Sequence, residues 1–149
     1  LYIIMILRCL KYSKRESHPL ISIIFDPRTV FTMKKIYFLG TCSTCIRIMI
    51  DLDAALDGFE KIDIKLQSLT FDEIDQMCDL AGSYGAFFSK RAMKYKAVKD
   101  KSLQESDYRK LIQEEYTFLK RPVFIVDGQI FIGNSPANIL ALKVHLGRG

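Results

Sequence analysis

Two β-rich runs, Val123–Val126 and Gln129–Ile132, are separated only by Asp127-Gly128. A two-residue link of that composition makes a type I′ hairpin, because both central residues need positive φ and glycine adopts it without steric cost. Pro122 opens the first run, the strand position where a missing N–H matters least. Downstream, Ser135-Pro136 supplies a cap and a first helical residue. A last helix follows, with Ile139, Leu142 and Leu146 on its apolar face.

The first half of the chain has a different grammar. Lys35–Leu39 is a short β-forming run ended by Gly40. From Cys45 the apolar residues fall at Ile48, Met49, Leu52, Ala55 and Leu56, the spacing of one helical face. Gly58 stands where a helix would be C-capped. Glu60–Ile64 reads as a second strand. A strand, a crossover helix and a second strand imply a parallel, right-handed pair. Combined with the hairpin, this predicts an α/β fold with a mixed central sheet.

The stretch 66–118 reads as a mostly helical insertion. Thr70 and Glu73 form a capping-box pattern ahead of Phe71, Ile74, Met77, Cys78 and Ala81, and Gly82 and Gly85 break the run. Ser89–Ala97 and Asp107–Phe118 are expected as further helices. No internal repeat or low-complexity tract is found.

Charge limits the partners. Of 149 residues, 22 are basic and 17 acidic. Residues 1–32 hold five basic side chains against Glu16 and Asp26, which leaves residues 33–149 at 17 against 15. That near-neutral domain gives no case for direct nucleic-acid binding. No stretch approaches the roughly 18 apolar residues that span a bilayer. Residues 1–32 read as an N-terminal extension, over-called ahead of Met33-Lys34-Lys35 or disordered. A short membrane-surface anchor is the sharper reading of that arm, and it is not preferred. The domain proper is expected at 33–149.

The four cysteines are Cys9, Cys42, Cys45 and Cys78. One close pair and two scattered residues suit a reduced, cytoplasmic protein with one special site. Cys42 follows a strand and precedes the first helical turn. Free N–H groups and the helix dipole there favour an anion, hence the reactive thiolate. Cys45, one turn on, can approach disulfide distance and resolve an adduct on Cys42. A zinc half-site lacks its second half, since His18 and His145 stand alone, so no metal is expected. Packing explains Cys78, and in part Cys45, but not Cys42 in a Gly-Thr-Cys-Ser turn.

A Cys-x-x-Cys at this junction, a helical insertion, then Leu119-Lys120-Arg121-Pro122 leading into an Asp-Gly hairpin and Gly133, resembles the arsenate reductase ArsC/Spx family of thioredoxin-like proteins. The match runs from about Met33 to Leu146. The resemblance implies a thioredoxin-like fold, with Cys42 as catalytic cysteine and Cys45 as the second cysteine of Spx-like (Spx/MgsR-like) members. Arg91 resembles the mid-chain arginine near the thiol, Arg121 that of the Arg-Pro motif, and Pro122 the cis-proline facing the thiol. Paired guanidinium N–H donors would hold a small oxyanion and favour the thiolate.

The chain departs from the family at two places. Gly133-Asn134 stands where arsenate reductases carry a further arginine. Ile46 stands where an arginine follows the motif, and Arg47 lies one residue on, about 100° around the helix. Two functions follow from the resemblance. The working reading is an ArsC-like enzyme acting on an oxyanion or disulfide, with no bound cofactor and with glutathione/glutaredoxin or thioredoxin as reductant. The other is an Spx-like switch that binds RNA polymerase through a Cys42–Cys45 disulfide.

Overall fold

The computed structural model of the chain describes residues 33–147; the N-terminal extension, with Cys9 and His18, lies outside the described residues. Four strands form one sheet in the order β2-β1-β3-β4. Strand β1 (Lys34–Phe38) pairs parallel with β2 (Glu60–Asp63) and antiparallel with β3 (Val123–Val126). Strand β3 pairs antiparallel with β4 (Gln129–Ile132), so the sheet is mixed as expected. Asp127 (φ 50°) and Gly128 (φ 72°) both adopt positive φ, the requirement of a type I′ turn.

Alternation along the inner strands sorts the core onto two faces. Ile36, Phe124, Val126 and Phe131 point to one side, where they meet helix α1 (Ser43–Leu52) and helix α5 (Pro136–Leu146) through Ile48, Leu52 and Leu142. Tyr37, Val123 and Ile125 point to the other, against the insertion. The insertion contributes α2 (Phe71–Ala81), α3 (Tyr84–Phe87) and α4 (Glu105–Glu114). Both faces of β3 are covered, which explains its unbroken Val-Phe-Ile-Val run.

Helix α2 begins as expected. Thr70 Oγ1 accepts the Glu73 N–H at 3.2 Å, and the Glu73 carboxylate accepts the Thr70 N–H at 2.9 Å. Gly82 ends the helix at φ 85°. Phe71, expected on the buried face, is 40% exposed. It carries the Arg109 guanidinium 4.2 Å above its ring.

Other boundaries differ from the sequence expectation. Helix α1 ends at Leu52, and a 3-10 turn over Asp53–Leu56 completes the crossover. Gly58 (φ 77°) therefore turns the chain into β2 instead of capping α1. The expected helix Ser89–Ala97 does not form; a 3-10 turn occupies Met93–Ala97, and the helix instead lies at Tyr84–Phe87, started by Ser83 Oγ accepting the Ala86 N–H. Asp107–Phe118 splits into α4 and a 3-10 turn, with Gln104 and Asp107 forming the capping box.

The insertion is clasped by Asp75, whose carboxylate accepts two hydrogen bonds from Arg109 (2.6 and 2.7 Å) and one from the Tyr84 hydroxyl (2.8 Å). Those bonds, the Arg109 ones foremost, hold Asp75 below the usual carboxylate range. A depressed folded pKa gives stability that is present above the unfolded value, about 3.9, and is lost as pH falls through the folded one. Asp75 is partly exposed, so its screened contribution is about 1 kcal/mol. Asp75→Asn should lower urea stability by that amount at pH 7. The gap between variant and parent should close as the pH is taken below 4 and through the folded value; a gap independent of pH would refute the electrostatic assignment.

Candidate thiol site

The site is built on the turn from β1 into α1. The Cys42 N–H donates to the Leu39 carbonyl at 2.9 Å, and the Cys42 carbonyl accepts the Ile46 N–H at 3.1 Å. Cys42 is the N-cap of α1, extended at φ −93°, ψ 107°. It has the chain position of a capping residue but a thiol in place of a hydroxyl. Its side chain is partly buried against the insertion-side core.

A residue that sequence reasoning passed over fixes this turn. Asp63, the last residue of β2, accepts the Gly40 N–H at 3.1 Å with one carboxylate oxygen and the Lys65 N–H at 3.0 Å with the other. A Cβ at Gly40 would sit 2.3 Å from Asp63 Oδ2, so glycine is what permits the bond. Asp63 belongs to neither motif nor apolar pattern, and only its place after Ile62 could have drawn attention to it.

The two thiols are unequal. Partial burial of Cys42 works against the thiolate, but the Cys45 backbone N–H, the Cys45 thiol and the Thr44 backbone N–H all stabilise it, and the Arg121 guanidinium adds to them. The result is a thiol below its ordinary value. Cys45 is fully buried, and burial, with the hydrogen bond to Cys42 and the Cys42 charge, pushes it up to about 11. Cys45 therefore keeps its proton at neutral pH and donates toward Cys42, whose thiolate form it favours. Cys42 and Cys45 are free thiols, and Cys78 is buried in the core.

Arg121 is brought to the site from the far end of the insertion. Phe88 bridges to Leu119, the Ser89 N–H donates to the Phe118 carbonyl at 2.6 Å, and the Lys120 N–H to the Phe87 carbonyl at 2.8 Å. This zipper closes the insertion at its base, one residue before Arg121. The Arg121–Pro122 peptide is cis, Pro122 is buried, and its carbonyl accepts the Gly133 N–H at 2.8 Å. Arg121 Nε is buried and has no hydrogen-bond partner among the described residues. Arg91 is exposed, ahead of the Met93–Ala97 turn, and its charge is not among those acting on either thiol.

Beside the turn, on the outer flank of α1, an open cleft of about 450 Å³ is lined by Gly40, Thr41, Ser43, Ile46, Arg47 and Ile50. Among the described residues no group of three His, Cys, Asp or Glu is placed to hold a metal ion, and no helix is long and apolar enough to cross a membrane.

The inequality of the thiols is directly measurable. Iodoacetamide should alkylate Cys42 with a pH midpoint below the ordinary cysteine value of about 8.5, while Cys45 stays unmodified until far more alkaline pH. Arg121→Gln removes a cation that favours the thiolate and should move the Cys42 midpoint upward. A midpoint at or above the ordinary value in the parent protein would contradict this electrostatic picture.

No family model and no curated protein matches the sequence. Solved structures do match. A possible arsenate reductase from Streptococcus mutans superposes with a TM-score of 0.61 at 26% identity, over 75% of this chain and 98% of that one. The arsenate reductase from Vibrio cholerae gives 0.64 at 19% identity, over 74% and 97%. An arsenate reductase (ArsC) related protein from Brucella melitensis gives 0.58 at 20%, over 75% and 95%. Each of these three chains is covered almost from end to end, helical insertion included. The chain carries the thioredoxin-like fold of the ArsC arsenate reductase family.

Proposed function

We propose that the protein is a thiol-dependent oxidoreductase with Cys42 as nucleophile and Cys45 as resolving thiol. The observation that carries this reading is the inequality of the pair: Cys42 is below its ordinary value, while Cys45 beside it is raised to about 11. With a disulfide substrate, the Cys42 thiolate attacks one sulfur, a new S–S bond forms, and the other sulfur leaves with the bonding pair. Capping Cys42 removes its charge and its acceptor, two of the causes that keep Cys45 protonated. Cys45 then loses its proton, attacks the Cys42 sulfur and expels the remaining thiolate. The Cys42–Cys45 disulfide so formed is returned to two thiols by an external reductant of the glutathione/glutaredoxin or thioredoxin type.

The same geometry accommodates an oxyanion. Attack on arsenate replaces one As–O bond by As–S, with water leaving after protonation. Attack of Cys45 on the Cys42 sulfur then breaks the As–S bond, and its electron pair stays on arsenic, which is reduced from the +5 to the +3 state. The partnerless Arg121 Nε supports an anion at this place. In this reading Arg91 is an outer contact that meets the substrate alone, and Pro122 shapes the wall facing the thiol. The names of the Vibrio cholerae and Streptococcus mutans neighbours favour arsenate as the first oxyanion to assay.

A second reading is supported by the influence of the Cys45 thiol on Cys42, one helical turn away. A disulfide formed there would make an Spx-like switch acting on a protein partner, with RNA polymerase the candidate.

A glutaredoxin-coupled assay with arsenate and with glutathione disulfide separates the two readings. Cys42→Ser should reduce turnover to background, Arg121→Gln should cost about tenfold, and Arg91→Gln should cost less. Turnover that survives Cys42→Ser, or peroxide treatment that leaves neither a Cys42–Cys45 bond nor a Cys42 adduct by mass spectrometry, would sink the enzyme reading. Oxidant-sensitive co-purification with RNA polymerase, in the absence of turnover, would favour the switch.

A further inference from the structure

The basic side chains of the domain are concentrated in one segment that the thiol chemistry does not use. Residues 90–101 hold Lys90, Arg91, Lys94, Lys96, Lys99 and Lys101 against Asp100. The rest of 33–149 is left with 11 basic and 14 acidic side chains, so the near-neutral total is a cationic segment on an acidic body. The backbone arranges this segment in threes. The Ala92 N–H donates to the Ser89 carbonyl at 3.4 Å, Tyr95 to Ala92 at 2.9 Å, Val98 to Tyr95 at 3.0 Å and Lys101 to Val98 at 3.1 Å. In such turns side chains three residues apart fall into rows. Ala92, Tyr95 and Val98 form the inner row and pack on the insertion-side core, the Tyr95 ring edge-on to Phe88. Lys90, Met93, Lys96 and Lys99 form an outer row; all four are exposed, Met93 at 90%. Neighbouring carboxylates are engaged within the fold. Glu105 accepts the Tyr84 N–H, Asp107 the Gln104 N–H, and Glu115 the Thr117 N–H and the Lys94 ammonium. Lys90, Lys96 and Lys99 have no ion-pair partner among the described residues.

We propose that this outer row is the docking surface for an extended acidic segment of a partner protein. Carboxylates at alternate residues of that segment face Lys90, Lys96 and Lys99, and an aliphatic side chain faces Met93. The spacing favours this occupant. A row of the turn repeats at about 6 Å, three residues of roughly 2 Å each. Same-face side chains of an extended chain repeat at about 6.6 Å, so the two stay in step over four positions, and the flexible lysine stems take up the difference. The thioether of Met93, set among ammonium groups, is an adaptable contact for one apolar side chain. A nucleic acid fits less well. The ring of Tyr95 packs on the core, which leaves the row without an exposed aromatic for a base to stack on, and the acidic body repels a polyanion longer than the row. A membrane surface takes several apolar side chains beside its cations, and the row offers Met93 alone. The Met93–Ala97 turn lies against the Tyr116–Phe118 turn, so the docked segment sits at the base of the insertion. The surface goes beyond the thiol reaction and does not depend on it.

The test titrates the full chain with two end-capped peptides of equal composition, Glu-Ser-Leu-Ser-Glu-Ser-Glu and Leu-Ser-Ser-Ser-Glu-Glu-Glu, and with the reversed sequence of each. Binding is read from the backbone amide resonances of residues 90–101. The alternating peptide, in its better direction, should bind about fivefold more tightly than the clustered one, and both should weaken as salt is raised. Lys96→Gln combined with Lys99→Gln should weaken the alternating peptide about tenfold, and Met93→Ser about threefold. Lys61→Gln combined with Lys65→Gln removes the same charge from two exposed positions at and after β2 and should leave its affinity unmoved. The proposal is overturned if the alternating and clustered peptides bind alike, or if the Lys61 and Lys65 changes weaken binding as much, which would mean general attraction of anions. It is also overturned if neither peptide shifts these amides. Oligothymidylate or phosphatidylserine vesicles that engage the same amides more tightly than the alternating peptide would give the row to another polyanion and overturn it as well.

Discussion

A carboxylate at the end of one strand holds the turn that carries the reactive thiol. Asp63 bonds the N–H of Gly40, and the parallel pairing continues past it through the Ile64 N–H to the Phe38 carbonyl at 2.9 Å. The register of β1 against β2 therefore decides where the turn Leu39–Cys42 lies, and the turn decides where α1 begins. Cys42 is the N-cap because the chain leaves the strand there with its N–H already given to Leu39. Moving β2 by one residue would turn the Asp63 side chain to the other face and release Gly40. The thiol position is thus a property of sheet register before it is one of side-chain chemistry.

The division of the core into two faces gives the cysteines their opposite characters. Cys45 lies on the face of α1 that packs onto the sheet, with Ile48 and Leu52, and burial there disfavours its charged form. Cys42 lies one turn earlier, at the helix end, where unpaired N–H groups point outward. The insertion then adds the cation. Its two ends are zipped by the Phe88–Leu119 bridge, and the ring of Phe88 stacks on Phe118 at 5.0 Å and tilts against Tyr108 at 4.7 Å. Arg121 follows directly from that anchored base, so the helices of residues 66–118 serve the site mainly by fixing where the chain re-enters the sheet.

What was legible in the sequence depended on how local the signal was. The Asp127-Gly128 hairpin, the Thr70–Glu73 capping box and the Ser135-Pro136 helix start are each specified within four residues, and the structure has all three. The apolar face of α1 was also readable, and it correctly placed Cys45 among buried residues. Gly82 ends its helix as read, but at Gly85 the same local reasoning failed. Gly85 read as a breaker, yet Ser83 caps a short helix, Tyr84–Phe87, that contains it. Ser89–Ala97 had helical composition, but the backbone of Ser89 is spent on Phe118, a partner 29 positions away. The Asp63 bond to Gly40 was illegible for the same reason, since it joins residues whose proximity exists only after β1 and β2 pair.

The two departures from the arsenate reductase pattern acquire a common physical sense once the helix is in place. Replacing a polar-face arginine by Ile46 and putting Arg47 next to it keeps one cation near the turn but rotates it about 100° around α1. Both residues then line the outer cleft, Ile46 supplying apolar surface and Arg47 charge. Gly133 (φ 83°) serves the backbone, donating its N–H to the Pro122 carbonyl, and contributes no donor side chain to an anion. Of the cations expected around a bound oxyanion, Arg121 is the one acting on both thiols. The Arg121 charge therefore acts at the thiol pair, while Arg47 lies on the outer flank of the same helix.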